Sequence, residues 1–131
     1  MTQHDLQIRV YYEDTDLAGI VYYANYLKYI ERGRSEFVRA LGIDQTALKE
    51  REGLVFAVRR VEADYLRPAR FDDLVTVRTE LEAVKGASLV MVQQVTRGQD
   101  LLFSARVTLV CLSATGRAVR LPDAIRCAFQ G

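Results

Sequence analysis

Residues 11–29 read YYEDTDLAGIVYYANYLKY. Two periodicities meet in this stretch, with three carboxylates and a glycine between them. Upstream, LQIRVYY (6–12) sets Leu6, Ile8, Val10 and Tyr12 on one face and Gln7, Arg9 and Tyr11 on the other, the pattern of a half-buried strand. From about Tyr23 to Leu41 the period lengthens. Tyr26, Ile30, Phe37 and Leu41, with Leu27 and Val38 beside them, recur at three- and four-residue steps. Lys28, Glu31, Arg32, Ser35, Glu36 and Arg39 occupy the remaining arc, so an amphipathic helix of about five turns is expected. Gly33 in mid-helix costs about 1 kcal/mol against alanine and signals a close backbone approach. Gly42 suits the left-handed position that ends the helix.

Beyond a short helical or irregular piece, DQTALKEREG (44–53), the chain reads as strand after strand. VFAVRRVEADYL (55–66) runs toward Pro68, and LVTVRTELEAV (74–84) alternates Val75, Val77, Thr79 and Leu81 against Thr76, Arg78, Glu80 and Glu82. SLVMVQQVT (88–96) and LLFSARVTLVCL (101–112) follow, joined by the glycine-bearing turns KGAS and RGQD and followed by SATGR. RAVRL (117–121) is a possible sixth strand, and PDAIRCAF (122–129) a final helical turn or two. The order strand, long helix, four antiparallel strands defines a single α+β domain over 1–131, one helix lying on a curled antiparallel sheet of five or six strands.

Composition narrows the function classes. The chain has 131 residues, half of them hydrophobic, enough for a core without metal or disulfide staples. A net charge of +1 and the lack of any block of like charges give no field for nucleic acid. Arginine supplies fifteen of the eighteen basic residues, a composition that suits phosphate and carboxylate groups but does not by itself identify a ligand. Cys111 and Cys127, in no metal-ligand spacing, read as two free thiols of a reducing compartment. MTQHDLQIRV lacks the apolar core of a secretory leader, and no apolar run approaches the roughly 20 residues of a membrane helix. A cytoplasmic protein without membrane insertion is expected.

The acidic corner, EDTDLAG (13–19), falls immediately before the expected helix N-terminus. Unpaired amides and the positive end of the helix dipole there favour an oxyanion. Gly19 would let a substrate approach the backbone. A carboxylate a few residues away could then act on a carbonyl held by those amides, the minimal equipment of acyl transfer. Asp14 or Asp16 could equally cap the turn or the helix, and spacing does not choose between them. A calcium loop starting at Asp14 would need ligands where Ala18 and Asn25 stand, so calcium is rejected. A zinc site has no second histidine or cysteine nearby.

The whole pattern resembles the hotdog-fold acyl-CoA thioesterases, in the branch containing 4-hydroxybenzoyl-CoA thioesterase and the Tol–Pal-associated thioesterases. The residues that carry the likeness are RVYYEDTDLAGIVYYANYLKYIERGRSEF (9–37), VRRVEADYLRPARFDD (58–73) and KGASLVMVQQV (85–95), in order and spanning nearly the entire chain. The resemblance implies that Asp16 is the catalytic carboxylate, acting as nucleophile or on a water. It implies that the Tyr23 amide polarises the thioester carbonyl, with Asp14 holding the loop. Tol–Pal-associated members usually carry histidine where Tyr23 stands. A histidine-assisted step therefore does not apply; the only histidine is His4, and the oxyanion role needs only the amide.

The implied reaction hydrolyses the thioester of a small or medium acyl-CoA, aliphatic or aromatic, to free acid and coenzyme A. No cofactor is required beyond the coenzyme A of the substrate. Binding residues expected around it are Gly19, Tyr22, Arg59, Arg60, Lys85 and Ser88, with Arg67 and Arg70 as further cations and the Gly86 turn beside Ser88. Arg59 and Arg60 would point to opposite faces of a regular strand. Glu31, a carboxylate on the helix, reads as part of a solvated or interface face. Open strand edges predict a homodimer or homotetramer with the site between subunits. An acyl carrier protein thioesterase and a non-catalytic acyl-CoA-binding protein are the alternative readings.

Overall fold

The computed structural model describes residues 2–131. β1 (Gln3–Arg9) leads through a single 3-10 turn, Tyr12–Asp14, and the acidic loop into α1 (Asn25–Ala40). There follow α2 (Gln45–Glu52), β2 (Val55–Tyr65), β3 (Leu74–Val84), β4 (Ser88–Arg97), β5 (Asp100–Leu112) and α3 (Asp123–Gln130). The five strands form one antiparallel sheet in the order β1-β3-β4-β5-β2. No helix among the described residues is long and apolar enough to cross a membrane.

The sheet curls because extra residues enter three of its pairings. Register shifts fall between Val58 and Arg60 in β2, between Leu81 and Ala83 in β3, and opposite Val95 and Thr96 in β5, where Leu102 is the inserted residue. Bulges bend a strand and increase its twist, and here they wrap the sheet over α1. The bulge carbonyl of Leu102 then accepts from both Leu66 and Arg67 N–H at 2.9 and 3.1 Å, turning the chain out of β2.

α1 presents Tyr26, Tyr29, Ile30, Gly33, Phe37 and Val38 to the interior. At 1.5 Å per residue its sixteen residues span roughly 24 Å. Leu27, expected beside this face, is exposed, whereas Tyr29 is sealed. Tyr12 departs from the alternation of β1. Once the chain leaves the sheet at Arg9 it enters the 3-10 turn, where pleat no longer governs direction, and Tyr12 is 84% exposed. RAVRL forms no sixth strand but a lone bridge from Ala118 to Leu112. α2 is a regular helix: Asp44 accepts from Ala47 N–H at its start, and Gly53 ends it with φ 67°. α3 buries Phe129 edge-on to Phe37 and Phe56.

Gly33 is where helix meets sheet. A Cβ there would stand 2.6 Å from Val77 Cγ1 and 3.0 Å from Thr79 Oγ1. Under the same turn lies Gln93, fully buried, whose Nε2 donates to the Ile30 carbonyl and to Thr79 Oγ1, both at 2.8 Å. Its Oε1 accepts from Arg34 Nη1 at 3.0 Å, so every polar atom of the amide has a partner. α1 lies across β1 and β3 and only touches β4. The far edge is bare: no residue of β2 is buried, and Val58, Val61 and Tyr65 are all exposed.

Gly33→Ala is expected to destabilise the fold by roughly 1–3 kcal/mol despite the better helix propensity of alanine, because overpacking outweighs it. Urea denaturation followed by circular dichroism measures this; a variant as stable as the parent would show that the helix can lift off the sheet freely.

Candidate active site

The loop between the 3-10 turn and α1 is a small self-bonded hairpin. Thr15 pairs with Val21, Asp16 N–H donates to the Ile20 carbonyl at 2.9 Å, and Tyr22 N–H donates to the Asp14 carbonyl at 2.9 Å. At its tip, Gly19 N–H returns to the Asp16 carbonyl and Gly19 adopts φ 80°, a conformation that favours glycine. An added Cβ at Gly19 would touch nothing, and the residue lies off the cavity wall. The positive φ gives Gly19 a conformational requirement of its own, apart from the close substrate approach expected for it.

The two aspartates divide their work. Asp14 is consumed by structure: Oδ2 accepts from Tyr11 N–H at 2.8 Å, and its carbonyl accepts from both Tyr22 N–H and Asn25 Nδ2. Tyr29 lies beneath it. The Tyr29 hydroxyl makes no hydrogen bond of ordinary geometry among the described residues, but burial, and next the adjacent Asp14 carboxylate, push its pKa far above that of a free tyrosine. It stays neutral. Asp16 instead faces a cavity of about 360 Å³, one oxygen accepting from Ala18 N–H at 2.9 Å.

That cavity opens at the start of α1. It is lined by Tyr22, Tyr23, Tyr26 and Tyr65 and by Leu66 to Pro68, with Asp16, Ile20 and Val21. The helix begins without a capping side chain at Ala24 and without an acid in its first turn; Asn25 turns its amide to Asp14 instead. Among the described residues the Tyr23 and Ala24 N–H groups find no acceptor. The positive end of the dipole is thus left open beside the Asp16 carboxylate.

Aromatic packing holds the walls. Tyr26 stacks on Phe103 at 5.0 Å between centroids, and its hydroxyl accepts from Ala69 N–H at 3.0 Å. Ala69 in turn accepts from Val21 N–H at 2.8 Å, so the segment after β2 is pinned to the loop. Asp73 anchors the end of that segment. Burial alone would raise its pKa, but the Arg70 N–H and the Arg97 guanidinium, the latter at 2.7 Å, outweigh burial and hold it below the usual value.

Of the expected site residues, Asp16 and Tyr23, expected as catalytic groups, share this cavity with Tyr22 and Arg67, expected to bind substrate, and the others lie off its lining. Arg59 and Arg60 lie at the bulge in mid-β2, where the break in register removes the strict alternation assumed for them. Lys85 and Ser88 sit at the β3–β4 turn. Ser88 is buried and pairs with Val110, which pairs with Ala57, whereas Tyr65 pairs with Phe103. The separation along the sheet is roughly 25 Å. Arg67 is already paired with Asp100 at 3.2 Å. Glu31 accepts from Ser35 Oγ on the helix surface, away from the cavity. Tyr26 and Tyr65 were not among the expected site residues. The one signal for Tyr65 in the sequence is its place just before the LRPAR segment that ends the strand.

A curled sheet around one helix, with a carboxylate facing uncapped amides, defines a class, and the comparisons with known proteins agree with it. Residues 10–129 match the family model described as the thioesterase-like superfamily, and the chain belongs to that family. It is 40% identical to the acyl-CoA thioesterase YbgC of Haemophilus influenzae over 124 residues, 94% of this chain and 91% of that one. It is 39% identical to the acyl-CoA thioester hydrolase YbgC of Escherichia coli O6:H1 over 125 residues, 94% and 92% of the two chains. A crystal structure of a probable thioesterase from Bartonella henselae superposes with a TM-score of 0.88 at 42% identity, covering 92% of this chain and 99% of that one. A mutant 4-hydroxybenzoyl CoA thioesterase complexed with 4-hydroxybenzoyl CoA gives a TM-score of 0.90 over 98% and 99% of the chains at 23% identity, a likeness of the hotdog fold alone.

Because the Asp73 pKa is depressed in the folded chain, its ion pair stabilises above the unfolded value of 3.8 and that stabilisation is lost as pH falls through the folded value. Asp73→Asn should lower stability at neutral pH and flatten the acid limb below about pH 4. Thermal melts from pH 7 down to pH 2.5 test this; parallel curves for parent and variant would exclude the pair as an acid-sensitive anchor.

Proposed function

We propose that the protein is an acyl-CoA thioesterase, hydrolysing the thioester of a small or medium acyl-CoA to free acid and coenzyme A. The observation that carries this reading is the Asp16 carboxylate and the open Tyr23 N–H on one cavity. The thioester oxygen accepts from the Tyr23 N–H, so negative charge developing on it meets a fixed donor and the helix dipole. Asp16 acts on the carbonyl carbon, by direct attack or by taking a proton from the attacking water. In the first route an Asp16 oxygen bonds to the acyl carbon, the carbon–sulfur bond breaks with loss of the coenzyme A thiolate, and water then hydrolyses the acyl–aspartyl anhydride to the free acid and Asp16. In the second, the water oxygen bonds to the carbon as Asp16 takes its proton, the carbon–sulfur bond breaks, and the thiolate leaves and takes up that proton. The names of the two relatives, acyl-CoA thioesterase and acyl-CoA thioester hydrolase, support the same reaction. The acyl group lies among tyrosine rings, which accept aromatic and aliphatic acyl chains alike.

The bare β2 edge supports a homodimer. A twofold axis across that edge would pair two β2 strands antiparallel and continue the sheet. The Val55 end of the partner then lies beside the Tyr65 end of this chain. This brings the partner's sheet end, with its β3–β4 turn and cations, toward the mouth of the cavity. On this reading each site draws its coenzyme contacts from both subunits, which reconciles the distance of Lys85 from Asp16 within one chain.

Asp16→Asn is expected to lower kcat by about 10²–10³-fold or more with the fold intact. Coenzyme A release from a panel of aliphatic and aromatic acyl-CoAs, read by chromatography so that the two cysteines do not interfere, checks this. Equal turnover by parent and variant would remove Asp16 from the reaction. Light scattering at micromolar concentration should give at least twice the chain mass of 14.9 kDa; a monomer would remove the shared site.

A further inference from the structure

Tyr65 ends β2, opposite Phe103 of β5. Its ring packs edge-on to Tyr23, Tyr26 and Phe103, with centroids 6.1, 5.5 and 5.0 Å away, and its hydroxyl donates to the Tyr23 carbonyl at 3.0 Å. The contact joins residues 42 positions apart and ties the last residue of the edge strand to the residue before the N-cap of α1. The carbonyl it engages has only one other partner among the described residues, the Tyr26 N–H at a long 3.4 Å. The same peptide unit carries the Ala24 N–H on its other side. Among the described residues that N–H, like the Tyr23 N–H one peptide earlier, has no acceptor.

A peptide whose carbonyl accepts a hydrogen bond is held in its plane, and the peptide joined to it is held with it. We propose that Tyr65 is a positioning residue for thioester hydrolysis: its hydroxyl fixes the Tyr23–Ala24 peptide at the helix start, and through it the direction of the Tyr23 N–H that donates to the thioester oxygen. The proposal rests on the thioesterase reading above. Tyr65 acts through the peptide and not on the substrate carbonyl itself. Tyr65 also lines the cavity, so the strand that ends with it contributes both to the lining and to the hold on the helix start. A helix start held only from the Asp14 side would leave the Tyr23–Ala24 peptide free to tilt. Asn25 and Tyr22 hold one side and Tyr65 holds the other.

Tyr65→Phe keeps the ring and its edge contacts and removes only the donor. With benzoyl-CoA as probe, kcat is expected to fall about tenfold with KM within about twofold, less than the loss of a whole oxyanion donor. The distinguishing measurement is the stretching band of benzoyl-CoA labelled with carbon-13 at its carbonyl. It is recorded bound to Asp16→Asn and to the double variant Asp16→Asn, Tyr65→Phe. In the double variant the band should move toward its position in free benzoyl-CoA. 3-Fluorotyrosine at position 65, a stronger donor on nearly the same ring, should move it the other way. An unchanged kcat in Tyr65→Phe, or a lowered kcat with the band unmoved by either replacement, overturns the proposal. The two readings fail separately. An unaltered chain that releases no coenzyme A from any acyl-CoA removes both, whereas an active parent with an unmoved band removes only the role of Tyr65.

Discussion

The approach of α1 to the sheet at Gly33 governs where everything else can lie. With no side chain at that turn, Val77 and Thr79 come up against the helix backbone, and Gln93 reaches through to the Ile30 carbonyl. A buried amide with all its partners made is directional in a way that apolar contact is not. It sets the rotation of the helix as well as its height, and therefore where the helix N-terminus emerges. The loop carrying Asp16 is short and self-bonded, so its position follows from that of the helix.

From this fixed point the site is assembled by division of labour between neighbours of similar type. Asp14 and Asp16 are two residues apart, yet one has its carboxylate and carbonyl occupied by local amides and the other faces the cavity. The tyrosines divide likewise: Tyr29 is sealed under the loop, while Tyr23 and Tyr65 stand half open to solvent. What separates a structural from a chemical role here is geometry over a few ångströms, not residue type.

The same geometry decides which parts of the fold and site are legible in the sequence. The strand ending near Val10, the amphipathic helix and the run of antiparallel strands follow from period alone, because burial on one face imposes it. The resemblance carried by the DTDLAGIVYY stretch pointed to Asp16 and Tyr23, and both line the cavity. Tyr12 was misplaced because alternation persists in the letters after the chain has left the sheet. The bulge at Arg59 leaves no mark in an alternating run of letters. Tyr65 was passed over because its value lies in a hydrogen bond to a residue 42 positions away. Long-range placement of that kind is a product of the curl of the sheet, which no local pattern records.

The chain contains seven tyrosines and no tryptophan. Four of them, Tyr22, Tyr23, Tyr26 and Tyr65, line the cavity, and their rings form one chain of contacts, Tyr22 to Tyr23 to Tyr65 to Tyr26. In most proteins tyrosine emission is lost by energy transfer to indole; here there is no indole to receive it. The near-ultraviolet absorption and fluorescence of this protein are consequently weighted toward its own cavity, so that occupancy of the site can be followed optically in the native chain without any attached label.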